Sequence, residues 1–328
     1  MSDTLNLSIA LDRYDRHFPF FDGTVQPPAG VTLQVLQVGQ SACLRDGKER
    51  HERMLHKLEF DICEFSMSTY LMARSRQMPI SAVPIFPRRL FSPSQMWVHP
   101  DSNLWHPSDL PGKKVALSSF QTTLSLLAKG DLKFHYGVPW EAIHWLLTTN
   151  EKVGFTPKPG VRLDFIGKGH DLGVMLEKRE IDAFFLPHPP ASVMNGETAA
   201  RRLFADCPAE DLSYYRSHGD FPIMHVIAIR QALLDEHPWL ARATMEMFNQ
   251  ASEIARGYYK DPNWSRLAWG RHYYESERRL FDGSDPWQNG FARNRANLER
   301  FIKYSHDQGL IAELFEPETL FYTDTLDT

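Results

Sequence analysis

The chain has 328 residues, of which 42% are hydrophobic, 12% aromatic and 23% charged; this suffices for one large core or two modest ones and excludes a disordered, collagenous or rod-like chain. With 36 basic against 41 acidic side chains the net charge is -5, the two signs are interspersed, and the absence of a basic block argues against nucleic acid as a partner. No stretch approaches the roughly 18 apolar residues of a membrane span, and residues 1–10 hold no basic segment ahead of an apolar run, so a cytoplasmic protein without a membrane partner is expected.

Leu5-Asn6-Leu7-Ser8-Ile9-Ala10 alternates, as does Val31-Thr32-Leu33-Gln34-Val35-Leu36 after the turn Pro27-Pro28-Ala29-Gly30, and both are predicted strands. Between them Asp12-Arg13-Tyr14-Asp15-Arg16-His17 is too charged for a core and follows a strand directly, which predicts a loop facing a cleft. Residues 48–58 carry Met54, Leu55 and Leu58 at helical spacing, residues 60–65 alternate as a strand, and Ser66-Met67-Ser68-Thr69 opens a helix running to 78. Residues 80–86 and 95–98 are further strands.

A second series begins at Leu110-Pro111-Gly112, with a strand to Leu117 and Ser118-Ser119 placed to cap a helix. Residues 161–165 read as a strand, 171–180 as a helix, and 182–186 as an apolar strand ending in Pro187-His188-Pro189-Pro190. Such alternation predicts an α/β fold of parallel sheets and crossover helices, with ligands at the carboxyl ends of the strands. Residues 221–230 form another strand, and helices at 240–258 and 294–308 carry apolar faces. Without repeats or a Gly/Ser linker, the pattern predicts two lobes joined by tight crossings near Trp97 and His225. Lobe one takes 1–100 and 221–328, including the C-terminal helices, and lobe two takes 101–220.

Several chemistries lack their residues. Cys43, Cys63 and Cys207 are too scattered for a disulfide framework or a cysteine zinc site. His51-Glu52-Arg53-Met54-Leu55-His56 superficially resembles a zincin helix, but five residues rotate about 500°, leaving the two histidines about 140° apart, and a solvated helix face is the better reading. No phosphate loop, G-x-G-x-x-G or G-x-S-x-G follows a strand, so nucleotide cofactors and serine hydrolysis have no support.

Polar residues do gather at strand ends. Ser66, Ser68 and Thr69 follow one strand, and Ser118, Ser119, Gln121, Thr122 and Thr123 another, each at a helix N-terminus suited to an anion; simple capping is the competing reading. Arg88-Arg89 and Arg16 could each meet a carboxylate or a surface partner. His188 is presented on a rigid proline turn, and His225 lies in an apolar strand at the presumed crossing, where a core role competes with a cleft role.

The chain resembles the 4,5-dihydroxyphthalate decarboxylase family, bacterial enzymes built on the fold of type 2 periplasmic binding proteins. The resemblance runs through Tyr14-Asp15-Arg16, Phe60-Asp61, Ser66-Met67-Ser68-Thr69-Tyr70, Phe86-Pro87-Arg88-Arg89-Leu90-Phe91, Gly112-Lys113-Lys114-Val115 and Glu180-Ile181-Asp182-Ala183. Phe221-Pro222-Ile223-Met224-His225 and Asp285-Pro286-Trp287 with Asn294-Arg295 are its most specific parts. The chain departs from the family pattern at Ser92-Pro93, where a basic Arg-His pair is usual, and at His188, where an arginine is common. Exchanged basic residues would alter carboxylate recognition.

The resemblance implies a two-lobed type 2 periplasmic-binding-protein-like fold with a cleft between lobes and a helical C-terminal extension. It implies loss of carbon dioxide from a small aromatic carboxylate by protonation of the ring carbon, with push from a para hydroxyl and no organic cofactor; a divalent metal bridging substrate oxygens stays open, with no ligand set on display. His225 or His188 would donate the proton, Arg89 and Arg16 would clamp carboxylates, and Asp15 or Tyr14 would hold a phenolic oxygen. Ser66, Ser68, Thr69, Ser119, Gln121 and Thr122 would contact the substrate. A homo-oligomer is implied as well. A solute-binding protein for an aromatic acid, or a decarboxylase of a related hydroxybenzoate, are the rival readings.

Overall fold

A computed structural model describes residues 4–328; the start of the chain, residues 1–3, read above as part of a segment without an export signal, lies outside the described residues. The first four strands are β1 (Leu5–Leu11), β2 (Val31–Gln37), β3 (Ile62–Ser66) and β4 (Ile80–Val83). Six more follow: β5 (Met96–Val98), β6 (Lys114–Leu117), β7 (His144–Leu147), β8 (Arg162–Phe165), β9 (Ala183–Phe185) and β10 (Arg201–Arg202). The last is β11 (His225–Arg230).

They form two sheets, in the orders β2-β1-β3-β11-β4 and β10-β5-β9-β6-β7-β8. Most parallel pairs are joined by connections that contain helices, as the sequence pattern predicts, whereas β7 and β8 are joined by residues 148–161 without one. In each sheet one strand runs against its neighbours, β11 in the first and β5 in the second, and each lies just past a crossing between lobes. β3, β4 and β9 are buried along their whole length and mostly apolar, with Glu64 and Ser66 in β3 and Ser81 in β4 as buried exceptions, whereas the edge strand β2 alternates at its start.

Met96–Val98 pairs with β9 and β10, so the chain has left the first sheet before residue 96. The outgoing and returning segments pair with each other: Arg89 bridges Ile223, Leu90 N–H donates to Pro222 O at 3.1 Å, and Met224 N–H donates to Arg88 O at 2.8 Å. The buried Arg89 guanidinium ties this crossing to the C-terminal segment, donating to Phe221 O (2.6 Å), Gln288 O (2.9 Å) and Asn294 Oδ1 (2.7 Å).

The long C-terminal helix, Phe291–Asp307, packs against the Thr123–Phe134 helix of the second lobe, so the extension serves both lobes. Between them lies Asp131, fully buried, whose carboxylate accepts from Ser92 Oγ (2.6 Å), Tyr214 Oη (2.9 Å) and Tyr304 Oη (3.0 Å). Burial pushes its pKa up to about 6 even against these donors. The Ser92 hydroxyl is thus spent in this network rather than directed to the cleft.

The sequence reading differs in other places. β7 and the Cys207–His218 helix were not predicted, and the helix expected from Ser118-Ser119 starts at Thr123. Among the described residues no helix is long and apolar enough to cross a membrane.

Gly130 lets the two helices approach, because a Cβ there would sit 2.0 Å from the Tyr304 ring. Tyr304 cannot swing aside, being stacked on Phe134 and bonded to Asp131. Gly130→Ala should therefore cost about 1–3 kcal/mol by overpacking; an unchanged denaturation midpoint would contradict this packing.

Candidate active site

The parallel strands of the first sheet end together, and a buried arginine joins their ends. Arg50, at the start of the Arg50–Lys57 helix, donates from Nε to Glu64 O (2.8 Å), from Nη1 to Asp12 Oδ2 (3.3 Å) and Val38 O, and places Nη2 3.2 Å from Glu64 Oε2. Glu64, on β3, is fully buried, and its Oε2 also accepts the Asp12 N–H at 3.0 Å. Its other oxygen accepts a short hydrogen bond from His225 Nδ1, on β11.

Burial opposes the Glu64 charge, but Arg50 and then His225 outweigh it and hold the carboxyl well below its ordinary range. Since Arg50 already balances that charge, His225 stays neutral: burial pulls its pKa down to about 4 despite the help of Glu64. The tautomer follows from the geometry, because a carboxylate can only accept. Nδ1 carries the hydrogen and Nε2 is left with its lone pair.

Above this dyad a cleft of about 690 Å³ separates the lobes. Of the residues singled out from sequence, it is lined by Tyr14, Arg16, Ser66, Thr69 and His225 from the first lobe and by Ser119, Gln121, Thr122 and His188 from the second, with Arg89 at the crossing. Two fall outside that lining. Asp15 is turned by the 3-10 turn Asp15–His17 toward a separate cavity of about 550 Å³, where it accepts from Tyr259 Oη at 2.5 Å, so its catalytic assignment is withdrawn. Ser68 is fully buried on the inner side of the Met67–Ser75 helix, and its substrate contact is withdrawn too.

Others reach the cleft with most of their polar atoms already engaged, although Arg89 Nε is buried without a partner among the described residues. The three Arg89 bonds described above leave it a brace for the crossing, a correction to its reading as a clamp. Gln121 exchanges both amide bonds with Val153, at 2.8 and 3.1 Å, which corrects its reading as a ring-orienting group. Ser66 caps its helix through Thr69 N–H (3.4 Å) and meets Thr123 Oγ1 (3.0 Å) across the lobes. At the second hydroxyl-rich turn Glu151 accepts from Phe120 N–H (2.6 Å) and Gln121 N–H (3.2 Å), so an internal carboxylate occupies donors expected for a ligand. His188 is exposed, and its Nε2 accepts from Arg88 at 3.2 Å.

Sequence reasoning missed Lys152 and Glu64, misplaced His51, and named Arg88 beside Arg89 without choosing between them. Arg88 lines the cleft and donates to two neutral groups, Gln40 Oε1 (2.9 Å) in its own lobe and His188 in the other. Arg16 stacks between Tyr14 and Trp287, 4.3 and 4.2 Å from their ring centres, and Lys152 adds a third cation to the lining. The Tyr14 hydroxyl is buried with no partner among the described residues. His51, assigned above to a solvated face, is buried beside His225, while His56 is exposed. The cleft thus offers cations, an unpaired phenol and a carboxylate-backed imidazole. Among the described residues no group of three or more His, Cys, Asp or Glu side chains could hold a metal ion.

No family model matches the chain. It is 31% identical to 4,5-dihydroxyphthalate decarboxylase of Comamonas testosteroni over 99% of this chain and 98% of that protein. It is 28% identical to the Pseudomonas putida protein of the same name over 65% of this chain and 82% of that one. Among solved structures it is similar to the periplasmic aliphatic sulphonate binding protein SsuA of Escherichia coli, with a TM-score of 0.58 at 10% identity over the full length of both chains. It is similar also to the alkanesulfonate-binding protein SsuA of Xanthomonas axonopodis pv. citri, with a TM-score of 0.57 at 12% identity over 98% of this chain and 99% of that one. The fold is that of type 2 periplasmic binding proteins.

Removing the arginine leaves a buried carboxylate without its cation, so Arg50→Met should cost about 3–5 kcal/mol in a denaturant melt. In the intact, substrate-free protein, the His225 signal in a nitrogen-15 NMR titration should stay neutral as pH falls from 7 and change only near pH 4. A protonated His225 at pH 6 would contradict the charge arrangement.

Proposed function

The chain belongs to the 4,5-dihydroxyphthalate decarboxylase family and is a carboxy-lyase; on that premise we propose that it converts 4,5-dihydroxyphthalate to protocatechuate, with His225 delivering the proton to the ring. The observation that carries the reading is the buried Glu64–His225 pair beneath a cleft rimmed with cations.

In this substrate each carboxylate is para to a hydroxyl. Protonation of the ring carbon that bears the departing group is therefore assisted by electron push from the para oxygen, and breaking the bond to carbon dioxide restores aromaticity. The protein has to supply an acid, a partner for the phenol and cations for two carboxylates. Arg88, whose partners are uncharged, and Arg16 take the carboxylates; the unpaired Tyr14 hydroxyl meets a phenolic oxygen. Burial keeps Tyr14 protonated by pushing its pKa up.

A neutral histidine becomes an acid when a dianion arrives. Two carboxylates beside His225 raise its pKa, and Glu64 stabilises the imidazolium once Nε2 is protonated. Above pH 4 the free site lacks that proton, so binding should take one up. Phthalate, which keeps both carboxylates but has no hydroxyl to push, isolates this step. Its calorimetric binding enthalpy should vary with the ionisation enthalpy of the buffer in the direction of proton uptake, and the dependence should vanish in His225→Asn.

The direct test follows carbon dioxide and protocatechuate from purified, chelator-treated protein given 4,5-dihydroxyphthalate, before and after divalent metal is restored. Turnover is expected, and His225→Asn should lose about 10²–10⁴ in kcat. Binding without turnover under both conditions would sink this substrate assignment, and hydroxybenzoates assayed alongside would show whether a related acid is preferred.

A further inference from the structure

One buried titratable group beside the dyad has no part in the mechanism above. Three consecutive residues of one helical turn serve the site: Arg50 grips Glu64, His51 sets its ring edge-on to His225 with centroids 5.0 Å apart, and Glu52 lies 3.7 Å from Lys152 Nζ. His51 is only 1% exposed and packs on Phe65, yet it borders the cleft. Its Nε2 is buried without a partner among the described residues. Buried polar atoms are nearly always bonded, so such an orphan calls for an explanation.

The reaction supplies one. Each decarboxylation consumes a proton, since a carboxylate anion plus one proton yields a ring C–H bond and carbon dioxide. His225 is 2% exposed and has to be recharged beneath a cleft that the substrate fills. Lys152, lining that cleft as His51 does, pairs with the exposed Glu52, the residue next to His51 in the chain.

Resting on the decarboxylase reading, we propose that His51 is the proton relay that recharges His225 from the Lys152–Glu52 rim of the cleft. A solvent proton adds to His51 and passes to His225 Nε2, on the ring packed edge-on against it. From Nε2 it forms the C–H bond at the ring carbon; the bond to the carboxylate then breaks, its electron pair returns to the ring, and carbon dioxide leaves. His51 acts through His225 and does not touch the substrate. Burial first, then His225, Arg50 and Lys152, push its pKa well down against the opposing pull of Glu64, so it carries a proton only in passing.

The test measures kcat and KM of His51→Gln and His51→Ala in dilute buffer, with and without imidazole. Both variants should lose about tenfold or more in kcat with KM held. Imidazole, small enough to enter the space vacated in His51→Ala, should restore that variant progressively and leave the wild type indifferent. Wild-type kcat in His51→Gln, or a loss in His51→Ala that imidazole does not reverse while the melting temperature is kept, would overturn the relay. His225→Asn run in parallel separates the two readings. Full turnover there refutes the donor assignment, whereas an inactive His225→Asn beside a fully active His51→Gln refutes the relay alone.

Discussion

The Arg50–Glu64 ion pair is the contact on which the site depends. Neither side chain is exposed, and each would be costly to bury alone. Together they draw in Asp12 from the end of β1 and Val38 from beyond β2, so three strand ends are fixed by one guanidinium. The same pairing decides the state of His225. A glutamate without a cation would compete for the histidine proton; one already balanced by arginine orients the ring and leaves it neutral.

The fold of type 2 periplasmic binding proteins here carries a carboxy-lyase. Both sheets share one plan, with an antiparallel strand next to a crossing, and the cleft between them is held by braces rather than by the ligand alone. Arg89 secures the paired crossings, and Asp131 gathers Ser92, Tyr214 and Tyr304 from three distant parts of the chain. Under the cleft floor lies the Glu64–His225 pair, a carboxylate-backed imidazole buried beneath the space between the lobes.

The sequence carried the fold in its alternating strands and proline-glycine turns, and the Leu240–Tyr258 helix was legible to the residue. β7 escaped because His-Trp-Leu-Leu has no alternation, although the Cys207–His218 helix had its signals in Asp206, Pro208 and Gly219. Hydroxyl residues at the strand ends, Arg16 and His225 do line the cleft, in keeping with the sequence expectation that such folds open at the carboxyl ends of their strands. The choice between Arg88 and Arg89 was not legible: which of two adjacent arginines faces the cleft depends on backbone direction at a crossing. His51 was misread because the polar sequence around it hides which face packs inward. Glu64 did leave a trace, as a lone charge within the apolar strand Ile62-Cys63-Glu64-Phe65.

The order of strands also bears on how the chain is made. The second sheet is built entirely from residues 96–202, whereas the first waits for β11, which inserts between β3 and β4. During synthesis the second lobe has all its strands before His225 leaves the ribosome. Glu64 and His225, 161 residues apart, meet only after that lobe lies between them. The growing chain can therefore assemble half of its cleft before Glu64 and His225 can meet, with Arg50 already available to balance Glu64.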